Sequence, residues 1–97
     1  MAKGTKPTPG PLTQEVSSIL RAEMARHRIL QGQLAAATGI STTQLSEILN
    51  GKKNIDIQQL DALCWSLGLD FTAVIRDAEQ QSEARHLAAD WTATPLT

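Results

Sequence analysis

Residues 30–53, LQGQLAAATGISTTQLSEILNGKK, decide the fold. Thr38 follows Leu34 and Ala35 by four and three residues, which puts all three on one helical face. Gly39 then supplies the left-handed residue that closes a helix, and Ile40 turns inward. Ser41 is placed to cap the next helix, its side-chain oxygen free for an orphan backbone N–H. That second helix buries Leu45, Ile48 and Leu49, and Gly51 stops it. The stretch therefore reads as two short helices joined by a tight turn. The remaining face of the second helix carries Thr42, Thr43, Ser46 and Glu47. These are short polar side chains that can lie against base edges in a major groove.

The rest of the chain agrees with a single small helical domain. Its 97 residues allow one modest core. With one Phe, two Trp and no Tyr, that core must be built from Leu, Ile, Val, Ala and Met. The net charge of −1 hides a polarity. Residues 1–53 hold seven basic and three acidic side chains, and residues 54–97 hold two basic and seven acidic ones. Such a chain can turn one end to phosphates and the other to solvent or a partner. A single Cys cannot form an internal disulfide or a thiolate metal cage. No apolar run approaches a membrane span and no secretory signal is visible, so the expected location is cytoplasmic.

Residues 1–11 hold three of the four prolines with Lys3 and Lys6, and read as a flexible basic arm. Helix 1 is expected near 13–28 with Thr13 as its N-cap and Val16, Ile19, Leu20 and Met24 facing inward. Helix 2 is expected over 31–38, helix 3 over 42–50 and helix 4 over 57–67. Helix 4 has Leu60, Leu63, Cys64 and Leu67 as its stripe and Gly68 at its end. A fifth helix begins near Asp70 or Phe71 and brings Phe71, Val74 and Ile75. The domain is bounded at 12–76. Residues 77–97 form a C-terminal extension of helix-favouring composition that could run to Trp91.

The motif resembles the lambda-repressor-like helix-turn-helix family, which includes phage Cro proteins and repressors and the xenobiotic-response-element-type regulators. The matching residues are Gln31, Leu34-Ala35, Gly39-Ile40-Ser41, Leu45, Ile48 and Asn50-Gly51-Lys52, followed by Leu60, Leu63, Cys64, Leu67 and Gly68. The likeness covers about Val16 to Phe71. It implies an all-α, compact five-helix DNA-binding domain. Many family members pair an Arg in helix 1 with a Glu late in the recognition helix, and the matching positions here are Met24 and Leu49. Losing both halves of such a pair together can be neutral or stabilising.

The resemblance implies phosphate contacts at Gln31, Ser41 and Asn50. Lys52 and Lys53 in the following loop would add electrostatic ones. Base reading falls to Thr42, Thr43, Ser46 and Glu47, with Gln44 a phosphate or base partner. Glu47 either accepts from cytosine N4 or repels phosphate so that register is enforced. Lys3 and Lys6 resemble the basic arm of lambda repressor; the bland alternative is a disordered leader. The recognition helix has no Arg, so specificity would be modest or spread into DNA shape and arm contacts.

One such helix reads too few base pairs, and the family usually binds two-fold sites as dimers. Trp65 lies off the helix 4 stripe, and Leu87 and Trp91 form a second apolar pair at i, i+4. Together they are the candidate dimer interface, unless the tail folds back over Trp65 within one subunit. No enzyme is indicated: Cys64 sits on an apolar face, His27 and His86 lack neighbours at metal spacing, and no cofactor is expected. The leading expectation is a phage or bacterial repressor that binds palindromic double-stranded DNA as a homodimer. Two alternatives remain, an antitoxin whose acidic half holds a basic toxin and a protein-interaction module without specific DNA binding.

Overall fold

The computed structural model describes residues 9–88, with side chains through Ser82. Five helices follow one another: α1 Pro11–His27, α2 Gln31–Thr38, α3 Thr42–Leu49, α4 Ile57–Leu67 and α5 Phe71–Ala88. No strand occurs among the described residues. α1 packs most extensively along α5, and α2 sits against both α3 and α4. One core joins them, formed by Val16, Leu20, Met24, Leu34, Leu45, Ile48, Leu49, Leu60, Leu63, Cys64, Leu67 and Val74 among others. The periodic apolar positions of all five helices meet there, which is the burial that makes such short helices stable. Met24 and Leu49, the two positions at which the resemblance puts an Arg–Glu pair, are both buried in the apolar core.

The helix ends show how the chain turns. α2 closes on Gly39 at φ 78°, a conformation that costs other residues about 1–2 kcal/mol. α4 begins with a full capping box between Asp56 and Gln59. Its end at Gly68 and the bounds of α2 agree with the sequence expectation. α3 ends one residue earlier than expected, at Leu49, with Asn50 as its cap.

α1 departs from expectation at both ends. It starts at Pro11 on Gly10, so Thr13 is not its N-cap. Proline is preset for the first helical position, where its missing N–H costs nothing, and that preference outweighs the hydroxyl two residues on. The Thr13 hydroxyl instead donates to Asn54 Oδ1 at 3.3 Å. α1 ends at His27 because Arg28 takes the left-handed conformation, φ 55°. α5 continues past the expected domain edge at 76 without a break, and runs to Ala88. Lys3, Lys6 and Trp91 lie outside the described residues, as does the side chain of Leu87.

Candidate nucleic-acid interface

α3 is amphipathic in the sense the sequence requires. Leu45, Ile48 and Leu49 are buried, whereas Thr42, Thr43, Gln44, Glu47 and Asn50 are exposed and Ser46 is half-buried. At 100° per residue, Thr43, Glu47 and Asn50 lie opposite the core stripe, and Ser46 and Thr42 continue that arc toward the margin beside Leu49. Gln44 stands to the side of that arc. The arc therefore joins all four candidate base readers and Asn50.

Ser41 caps α3 as expected, its Oγ accepting from the Gln44 N–H at 3.1 Å. α2 starts differently. Its N-cap is Leu30, which has no side-chain acceptor for the first amides of the helix. Gln33 turns back so that its Oε1 accepts from the Leu30 N–H at 2.9 Å. The exposed side chain of Gln31 thus stands at a helix start whose amides face outward, a setting suited to an anion. Asn50 is committed locally: its Nδ2 donates to the Ser46 carbonyl at 2.9 Å. The second N–H of that amide would be its donor for a phosphate.

The C-terminal end of α3 is closed twice. Within the chain, the Lys52 N–H donates to Glu47 O at 2.9 Å and the Gly51 N–H to Ile48 O at 3.1 Å. This is the paired arrangement that follows a left-handed residue, here Gly51 at φ 70°. From outside, α1 adds three side-chain donors. Ser17 Oγ donates to Ile48 O at 2.6 Å and Gln14 Nε2 to Gly51 O at 2.8 Å. Arg21 donates to Leu49 O. Glycine is needed there for the left-handed conformation, and a Cβ on Gly51, 2.3 Å from Gln14 Oε1, would also push aside the end of the Gln14 side chain. Sequence reasoning missed these α1 residues. Their only signal is spacing: Gln14, Ser17 and Arg21 lie three and four apart along the edge of the Val16-Leu20-Met24 stripe.

Lys52 is exposed and Lys53 half-buried in the loop that Thr13 and Gln14 hold. On the opposite sequence half, α4 leaves Trp65 87% and Ile57 75% exposed, eight residues apart and on one face with Asp61 between them. Cys64 is buried behind that face. Burial pushes its thiol above the ordinary value, and the carboxylates of Asp61 and Asp70 push it further. Among the described residues no group of three His, Cys, Asp or Glu could hold a metal. No described helix is long and apolar enough to cross a membrane.

The fold and the polar arc of α3 define a helix-turn-helix DNA-binding domain. The sequence model of the Cro/C1-type HTH DNA-binding domain matches residues 20–76, more than half of the chain, and the protein belongs to that family. Its fold is similar to a crystal structure of the clp gene regulator ClgR from Corynebacterium glutamicum. The TM-score is 0.72 at 26% identity, covering 87% of this chain and 88% of that one. A second ClgR structure from the same organism gives a TM-score of 0.65 at 28% identity, over 71% and 90% of the two chains. No curated protein matches this chain.

Proposed function

We propose that the protein is a bacterial or phage transcriptional regulator that binds a two-fold operator as a homodimer and represses by occluding promoter DNA. The observation that carries this reading is α3: an exposed arc of Thr42, Thr43, Ser46 and Glu47 backed by three buried aliphatics. The Thr methyls suit thymine, their hydroxyls suit base edges or phosphates, and Glu47 suits cytosine N4 or serves as a register guard. Gln31, Ser41, Gln44, Asn50, Lys52 and Lys53 hold the flanking phosphates. The likeness to ClgR, a gene regulator, favours this reading over a toxin partner or a pure interaction module.

Lys3 and Lys6 are proposed as further DNA contacts; they precede α1 in sequence, and the first turns of α1 bond the 51–54 segment through Thr13 and Gln14. The dimer face is the outer side of α4 with Trp65, joined by Leu87 and Trp91 from the C-terminal extension. An exposed Trp is a common interface anchor.

Selection of bound duplexes from a random DNA pool at moderate salt tests the reading. An enriched inverted repeat is expected, its half-site spacing set by the dimer. Weak, salt-sensitive binding with no enriched sequence would overturn it.

A further inference from the structure

We infer that Gln14, Ser17 and Arg21 of α1 are positioning residues for DNA recognition, setting the angle of α3 and the course of the lysine loop without touching DNA themselves. The inference rests on the DNA-binding reading above.

The end of α3 takes more donors than its own turn supplies. A helix C-terminus leaves carbonyls that water or a closing turn can satisfy. Here the turn at Gly51 already supplies donors to Glu47 O and Ile48 O. Ser17 nonetheless adds a second donor to Ile48 O, at 2.6 Å, while Arg21 takes Leu49 O and Gln14 takes Gly51 O. Ile48 O is thus met twice, whereas Leu49 O and Gly51 O take their donors from α1, so this end of α3 is held by α1 as well as by its own turn.

Apolar and polar contacts constrain a helix differently. Leu45, Ile48 and Leu49 hold α3 in the core by burial, which is non-directional. Hydrogen bonds weaken steeply with misalignment, so three of them from one edge of α1 resist roll and tilt. Arg21 also places a cation at the negative end of the α3 dipole. The N-terminal end of α3 has its cap from Ser41, a residue of the turn itself. The side-chain hydrogen bonds that tie α3 to α1 thus meet the end of α3 that leads into Lys52 and Lys53. Base readout demands the same angular accuracy, because its bidentate pairs are hydrogen bonds too.

The test compares wild type with Gln14→Ala and Arg21→Met, each first checked for helical content and Tm. Affinity is measured for the selected operator and for a scrambled duplex across a salt series. Each variant is expected to lose operator affinity, about ten-fold for Arg21→Met and about three-fold for Gln14→Ala, in line with charged and neutral hydrogen bonds. Affinity for the scrambled duplex and the salt slope should stay at wild-type values. Arg21→Lys, which keeps a donor for Leu49 O, should recover most of the loss.

Unchanged operator affinity in both variants would overturn the inference. So would an equal loss on both duplexes with a salt slope smaller by about 0.9, because that marks Arg21 as a phosphate contact. If Arg21→Met fails to fold, Gln14→Ala decides alone, since it removes no charge. Failure of the wild type to select any operator would overturn the DNA-binding reading itself, and this inference with it.

Discussion

Arg28 pays for the turn between α1 and α2 in backbone strain. It holds φ 55° with its N–H donating to Ala25 O at 3.2 Å, and the Ile29 N–H donates to Met24 O at 2.9 Å. The other three left-handed helix ends among the described residues, at Gly39, Gly51 and Gly68, carry glycine. Arg28→Gly should therefore stabilise the domain by about 0.5–1 kcal/mol, the strain relieved less the extra freedom of the unfolded chain. Thermal unfolding should show Tm higher by a few degrees, and an unchanged or lower Tm would refute the strain. Cys64 makes a second prediction. Its folded thiol titrates above the unfolded one, chiefly through burial and then through Asp61 and Asp70. Above the unfolded thiol value of about 8.5, the unfolded chain binds fewer protons than the folded one. The contribution of Cys64 is thus complete below that pH and is lost as pH rises toward the folded value. Denaturation midpoints should be level near neutrality and decline above about pH 8.5, by at most about 1.4 kcal/mol per pH unit from this group. Cys64→Ala should remove that part of the decline.

Helices are where the sequence spoke most clearly, and unevenly. α2 and α4 were legible to the residue because Gly39 and Gly68 mark their ends and apolar stripes mark their faces. The polar arc of α3 was legible from Leu45, Ile48 and Leu49 alone, since burial of three residues fixes which five face outward. The start of α1 was not, because Thr13 and Pro11 are both start signals and only one can act. Its end was not, because Arg28 carries no mark of a left-handed turn. The α1 contacts to Ile48, Leu49 and Gly51 were hidden for another reason: their acceptors are backbone carbonyls, which every residue has. At this scale Ser41 separates two roles. Its oxygen caps α3, and in the proposed complex it also meets phosphate. Ser41→Ala should cost about 1 kcal/mol of stability through the lost cap. Ser41→Asp should keep the cap, and Tm with it, yet lower DNA affinity several-fold by placing a carboxylate against phosphate. Thermal melts beside binding titrations check both, and equal binding by Ser41→Asp would remove Ser41 from the interface.

The whole molecule divides its labour by charge and by apolarity. The basic surplus lies in residues 1–53, with α3 and the lysine loop, and the acidic surplus lies in residues 54–97. In the proposed complex the basic half would serve DNA and the acidic half a protein partner. The exposed side of α4 is the part that a monomer leaves unexplained. Trp65 at 87% and Ile57 at 75% exposure contribute little to the fold as described, so shortening Trp65 should not unfold it. In a dimer anchored there, Trp65→Ala should weaken self-association by about 2 kcal/mol or more. That corresponds to roughly 30-fold in the dimer dissociation constant. Light scattering over a concentration series should then show a dimer for wild type and a shift to monomer for the variant. Tm extrapolated to low concentration should be the same for both, because subunit association stabilises by mass action. The opposite pattern, a monomer at every concentration with Tm lowered by Trp65→Ala, would mean that the C-terminal extension covers Trp65 within one subunit. Operator binding would then need its two-fold partner from another surface.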